Sequence, residues 1–498
     1  MRVWLGKRPP PTSKRLGHAL VLAVSSRSPA TRRTHASSRH VPATPSGRSR
    51  KVIVPAAGGL FFPQSRCLGI DQGEASPAVL QQLTYAGTIS RSFAEGRDIL
   101  THLTDLTVSV KQVERVTERI GGERVVERDA TTTTFQAMPL AEKFAAPPGV
   151  TPPDLVVVMA DGGRLQIREP PPTAGEPKPA AVVPAAATES DWNEEPAAKA
   201  GHWREDKVGL LLTMDSVVSA ADPCPEIPAS FLDVVRIPKL ARQLKKNAKV
   251  TDEAVADTDE PEVAESALPS DPTYQPPQVV ERQVVASRGR WSAFAPLLAS
   301  AAWAWGFQGA TRKAFVADGS ANNWTLQRRF FGSFVPILDF IHALSYVFAA
   351  AMAGQPFAVG WTCYQQWIGW VWQGQVGLVL AALQVRQEEL GPLAEREPET
   401  SPRQVVSKAL TYLSNHQDKM KYDEYRQQGL PLTSSLMESV VKQVNRRVKG
   451  TEKFWSEAGS EAVLQLRADQ LSDGEPLAAF WERRQAAATG QRRYRRTA

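Results

Sequence analysis

Three widely separated acids carry the chemistry of this chain. Asp161 is followed by two glycines, Asp318 opens an Asp-Gly-Ser turn, and Glu438 lies within a basic segment; Asp339 and His342 stand three residues apart between the last two. Carboxylates drawn from separate segments are the raw material of a two-metal site for phosphodiester chemistry. Two Mg²⁺ ions roughly 3.5–4 Å apart lower the pKa of an attacking water or 3′-hydroxyl and neutralise the leaving oxygen. Mg²⁺ takes oxygen ligands and retains several waters, so a few carboxylates suffice and no Cys or His cage is expected. His342 reads in two ways: it orients a phosphate or a carboxylate, or it is a satisfied histidine beside an apolar helix.

The elements that must position these acids are partly legible. Leu155 to Met159 is a short continuous apolar run, the signature of a buried strand, and Asp161-Gly-Gly163 reads as its end before a tight turn. Arg164 to Arg168 alternates like the partner strand of a hairpin, and Lys207 to Thr213 is a third strand. Lys313 to Ala317 ends in Asp318-Gly319 and repeats the strand, carboxylate, glycine pattern. Past His342 an apolar helix is expected at 343–352, and the four tryptophans between Trp361 and Trp372 read as core rather than as a base-stacking platform.

The segment 434–450 is the most helical polar stretch, with Ser434 or Ser435 as its cap and Gly450 as its stop. Glu438, Lys442 and Arg446 recur every four residues and share one side. Either this is a surface ladder of charges, or the helix points one carboxylate at a metal and Lys442, Arg446, Arg447 and Lys449 at phosphates, with Lys453 beside them. The excess of base over acid favours the second reading.

Upstream, residues 81–122 carry apolar positions at helical spacing. Ser109 caps a helix whose Lys111, Gln112, Arg115 and Arg119 face outward. That is either a helix-turn-helix reader of double-stranded DNA or an amphipathic hairpin with a solvated face. Residues 1–70 contain no Asp or Glu and are rich in Arg, Ser and Pro. They fit a basic arm, an export or transit signal around Ala19–Val24, or an upstream extension without function. The net charge of +7, concentrated at the two ends and around Glu438, points to a polyanionic partner.

Cys67, Cys224 and Cys363 show no paired spacing, so neither a disulfide framework nor a cysteine zinc site is expected. The sparse cysteines fit a reducing cytoplasm, and a cytoplasmic, nucleoid-associated location is expected; the apolar segments 296–307 and 334–361, too short or too interrupted to span a bilayer, read as buried helices, and no membrane partner is expected.

The combination of Asp161-Gly-Gly, Trp203 to Gly209, Asp222 to Glu226, Asp318-Gly, Asp339-Phe-Ile-His342 and Gly429 to Glu438 resembles bacterial insertion-sequence transposases of the ISKra type. The resemblance covers roughly residues 80–495, and its most specific part is Arg446 to Trp455 with Leu464 to Arg467. These are DDE transposases related to the Mutator-like group, with an RNase H-like core. The resemblance implies an α/β fold, a mixed sheet flanked by helices, with a largely helical insertion and an N-terminal helical DNA-binding region. It implies Asp161, Asp318 and Glu438 as catalytic and metal-holding, and Asp339 and His342 as an accessory signature; Asp339 is the alternative second metal ligand. Asp206, Asp215 and Glu205 are taken as structural.

The implied activity is metal-dependent cleavage and strand transfer on DNA. It would use two Mg²⁺ ions or Mn²⁺ in their place, and would act on the terminal inverted repeats and target as a homo-oligomer. The alternative is an inactive or domesticated DNA-binding regulator. The expected layout is a disordered basic extension at 1–75, a DNA-binding region at 80–145, and a first core part at 150–340 with loops 169–201 and 251–285. A helical insertion at 341–425, a core helix region at 426–470 and a basic tail at 471–498 complete it. The family's paired cysteines near the start of the ordered region are absent, since Cys67 stands alone.

Overall fold

The computed structural model describes residues 75–168, 192–193, 202–249 and 274–487, together with four two-residue strands between Thr34 and Phe61. Apart from those four short strands and residue 75, the expected disordered extension lies outside these residues, as do most of the two expected loops. Within them the fold is mixed α/β: a six-stranded mixed sheet flanked by helices.

The sheet is built from β1 (Leu155–Ile167), β2 (Trp203–Asp215), β3 (Gln278–Ser287), β4 (Arg312–Ala317) and β5 (Val335–Leu338), in the order β3-β2-β1-β4-β5. The first three strands pair antiparallel, and β4 and β5 run parallel to β1. A sixth strand, β6 (Phe454–Trp455), pairs parallel with Gln166 and Ile167 at the far end of β1. Leu155, Val156, Val157 and Val158 are fully buried, as a central strand covered on both faces requires.

Two sequence readings need correction here. Asp161-Gly-Gly163 does not end the strand, because neither Gly162 nor Gly163 takes a positive φ. The chain stays extended through Ile167, and the partner of the hairpin is β2, with Asp161 opposite Val208. The residues 278–285, assigned to a loop, belong to edge strand β3. Glu281, Arg282 and Gln283 interrupt its valines and hide the strand pattern; on the edge, Arg282 pairs with Asp473 at 3.0 Å.

Upstream, α1 (Pro77–Ile89), α2 (Phe93–Leu103) and α3 (Val110–Ala137) pack on one another around Val79, Leu83, Leu100 and Val113. Ser109 caps α3 through a full capping box with Gln112. The basic helix α4 (Arg236–Lys249) follows β2, and α5 (Trp291–Ala304) lies between β3 and β4. α6 (Ala321–Phe330) joins β4 to β5.

Between β5 and Glu438 the chain is helical, as expected for the insertion. It runs through α7 (Phe340–Met352), α8 (Phe357–Trp372), α9 (Val376–Leu390), α10 (Pro402–His416) and α11 (Tyr422–Gln427). Trp372 is fully buried in this region, with its indole N–H donating to Cys224 O and the Arg426 guanidinium 4.0 Å over its ring. The tryptophan cluster is core.

The last helices are α12 (Ser435–Val448), α13 (Glu457–Leu471) and α14 (Pro476–Ala486). The expected basic tail at 471–498 carries in its first half helix α14, docked on α3 by Arg484–Glu123 and Arg483–Glu127 pairs at 2.6 Å. Arg124 of α3 meets Asp469 of α13 through two bonds at 2.8 and 3.0 Å, so the first and last helices form one packed layer. Among the described residues no helix is long and apolar enough to cross a membrane.

Candidate active site

Parallel strands in register send matched residues to the same face of the sheet. Met159 pairs with Val316, so two residues further on Asp161 and Asp318 leave adjoining strands on one face. Ala317 pairs with Leu338, which puts Asp339 beside Asp318 in the same row, and the Asp339 amide donates to Ala317 O at 2.8 Å. Opposite, α5 covers the other face, with Leu298 and Phe294 against Gly209. Helix α12 covers the face of the acids, where Asn445 stands over Gly163.

The three aspartates of the row have different surroundings. Burial pushes the half-buried Asp161 up to about 7, helped by the charge of Asp318, against a 2.7 Å bond from the Gly162 amide. Asp318 Oδ1 accepts from the Ser320 amide and from Asn323 Nδ2, both at 3.0 Å. Gly319 follows at φ +96°, a conformation glycine tolerates, under Tyr412, whose hydroxyl donates to Asp318 O at 2.6 Å. The insertion thus presses α10 onto the Asp318 turn. There Tyr346 stacks on Tyr412 at 3.8 Å, beside a cleft of about 420 Å³ lined also by Gln404, Lys408 and Asn415.

Asp339 is buried and saturated. It accepts from the Ile341 amide at 2.7 Å as the cap of α7, and from the Ser434 amide at 3.0 Å and the Ser434 hydroxyl at the start of α12. Burial works against its charge, but His342 and Ser434 hold it below the usual carboxylate range. Asp339 therefore fastens α7 to α12, and of the two aspartates proposed as second metal ligand it is Asp318 that lies next to Asp161 with fewer donors.

His342 Nδ1 lies 3.4 Å from Asp339 Oδ2. Burial alone would lower its pKa, but the contact with Asp339 and the charges of Asp318 and Glu438 raise it to about 10. At neutral pH an imidazolium thus stands among three acids, Asp318 just past β4, Asp339 just past β5 and Glu438 on α12. Glu438 lies in the first turn of α12, mostly buried, 3.9 Å from Lys442 Nζ. Among the described residues no group of three or more His, Cys, Asp or Glu side chains is placed so that it could hold a metal ion as it stands. Asp161, Asp318 and Glu438 each carry carboxylate oxygens, the ligand type that Mg²⁺ takes. The repulsion that raises Asp161 is of the kind a divalent cation relieves.

The cations divide into two groups. Lys442 and Arg446 keep exposed surface on α12, and Lys111 and Arg115 are exposed on α3, although Lys111 pairs with Glu114 at 2.5 Å. Arg447 is corrected: it is buried and no phosphate ligand. Its Nε donates to Gly87 O at 2.9 Å, and its guanidinium lies 4.4 Å from the Phe93 ring centre and 5.0 Å from that of Trp455. Burial, reinforced by Arg467, pulls its pKa down to about 10. Lys453 is turned to the end of α12, donating to Arg446 O at 3.1 Å, and Lys449 lies close enough to Asp206 to act on its charge.

Sequence reasoning missed α4, whose Arg236, Lys239, Arg242, Lys245, Lys246 and Lys249 include no acid. A count of charge sign along 236–249 would have found it. It also took Asp206 as an ordinary structural acid, although that side chain is completely buried.

No protein-family model matches the chain, and no curated protein matches it.

Proposed function

We propose that this chain is a DDE-type DNA transposase with an RNase H-like core, of the ISKra type. It would cleave phosphodiester bonds and transfer strands at the ends of an insertion sequence. The observation that carries the reading is the row of the sheet where Asp161 and Asp318 stand side by side under a helix bearing Glu438. The strand order β3-β2-β1-β4-β5, with β2 antiparallel, supports the RNase H-like assignment. The exposed Lys442 and Arg446 beside Glu438 support a polyanionic substrate.

Asp161, Asp318 and Glu438 would hold two Mg²⁺ ions, or Mn²⁺ in their place, which when bound activate the attacking hydroxyl and neutralise the leaving oxygen. The protein's own part is positional. β1 and β4 present two acids at one level, Asp339 ties the start of α12, and Glu438 on that helix would complete the set. His342 keeps a positive charge at the edge of the site, where it would meet a phosphate oxygen. Lys442 and Arg446 would hold the backbone on either side, which makes binding salt-dependent. Double-stranded terminal repeats and target DNA are the substrates, engaged by a homo-oligomer.

The test is cleavage and strand transfer on DNA carrying the element's flanking ends, with Mg²⁺ or Mn²⁺. The unaltered protein is compared with Asp161→Ala, Asp318→Ala, Asp339→Ala and Glu438→Ala. Loss of cutting with retained DNA binding in the first, second and fourth supports the reading. Binding of the ends with no cutting by the unaltered protein under either metal replaces it with a DNA-binding regulator.

A further inference from the structure

Asp206 is the most anomalous polar group on the covered face of the sheet. It lies on β2 opposite Gly163, two residues along from the pair Asp161 and Val208. The residue is 0 % exposed, and neither carboxylate oxygen has a hydrogen-bond partner. Across from it, Asn445 of α12 presents a buried Oδ1 that also lacks one. Both groups meet over Gly163, where a Cβ would lie 2.8 Å from Asp206 Oδ2 and 2.9 Å from Asn445 Oδ1. Glycine at this position leaves the space in which the two side chains come together.

Three unpartnered buried oxygens at one point leave their lost hydration uncompensated. Half a turn of the Asn445 amide exchanges its O and N, which differ by no shape, and aims an N–H at the carboxylate. That rotation satisfies both residues at once. Burial pushes the Asp206 carboxyl up to about 7, with its own amide, Lys207 and Lys449 acting to lower it and Glu205 to raise it. A hydrogen bond from an amide N–H is the partner that these carboxylate oxygens lack.

We infer that Asp206 is a positioning residue for Glu438, accepting a hydrogen bond from the Asn445 side-chain amide and thereby fixing how α12 is rotated above the sheet. Asn445 follows Glu438 by seven residues, two helical turns, so the two side chains share a face. Asp339 grips α12 at Ser434, one turn before Glu438, and Asp206 grips it at Asn445, two turns after. Two sheet acids thus bracket the catalytic one along the helix. The role assigned to Glu438 rests on the proposed function; the Asp206–Asn445 bond does not.

The experiment is a charge swap in the full-length protein, read by Mg²⁺ titration of DNA cleavage and by thermal unfolding. Asn445→Asp sets two carboxylates face to face. It is expected to lower cleavage roughly tenfold and raise the Mg²⁺ needed for half-maximal rate by a similar factor, the range of an outer-shell substitution. Adding Asp206→Asn to that variant restores an amide and a carboxylate with their places exchanged, and returns both readings to within about twofold of the unaltered protein. A silent Asn445→Asp, or a double variant no better than the single, overturns the inference. If the unaltered protein never cuts, the proposed function fails by itself. The pair is then judged by unfolding alone, where the double variant must melt well above Asn445→Asp.

Discussion

Asp318 and Asp339 are neighbours in one row of the sheet, yet they are opposite in condition. Asp339 has every oxygen engaged by Ile341, Ser434 and His342 and is held as an anion. Asp161 and Asp318 face each other, and the pair's repulsion adds to burial in pushing Asp161 up to about 7. An acid saturated by its own protein has no capacity left for a ligand, whereas two acids that repel each other gain from any cation brought between them. The same row of the sheet thus holds one carboxylate that joins helices and two whose charges oppose each other.

The sharpest way to break this contrast is to remove one acid from each setting. Asp318→Ala is expected to lower metal-dependent cleavage by roughly 10³-fold, the several kcal/mol a metal site supplies. Its melting temperature should hold or rise, because one of two repelling charges is gone. Asp339→Ala is expected to cost about 3 kcal/mol in urea unfolding, since it strands His342 and the Ser434 donors in a buried place. If Asp339→Ala leaves stability untouched, the two acids do not differ as described.

Helix α12 offers a smaller version of the contrast in Arg446 and Arg447. Arg447→Ala should cost about 2 kcal/mol by loss of the Gly87 bond and the stacking on Phe93 and Trp455, with the salt dependence of DNA binding unchanged. Arg446→Ala should leave stability within roughly 0.5 kcal/mol. It should reduce the slope of log affinity against log salt by about one.

The gentlest probe is pH. A histidine whose folded pKa is raised from 6.5 to about 10 stabilises the protein fully below about pH 6.5, and this contribution is lost as pH rises through 10. Asp161 has the opposite sense: an acid raised from 3.8 to about 7 destabilises increasingly as pH rises from about 4 to 7 and no further above that. Unfolding measured against pH should therefore lose its alkaline slope in His342→Ala and its acidic slope in Asp161→Asn.

The strands that bear the acids were legible because buried parallel strands are continuous apolar runs, and Leu155–Met159 and Lys313–Ala317 are such runs. The extent of helix α12 was legible from Ser434 and Gly450 at its ends and from its four-residue charge spacing, although the Ser434 hydroxyl donates to Asp339 and does not cap the helix. The Gly162-Gly163 pair misled because glycine signals a turn as readily as a place of close approach, and here Asn445 comes down on it. The role of Asp339 was hidden because its partner Ser434 lies 95 residues away. Arg447 looked like Arg446 in sequence, and what separates them is one step around a helix.

The bond between Arg124 and Asp469 spans 345 positions of chain. At synthesis rates of about 5–20 residues per second, roughly 20–70 s pass between the emergence of the arginine and that of its partner. During that interval α3 has a charged face meant for burial and nothing to bury it against, so the N-terminal helices are a waiting surface for the newborn chain to protect.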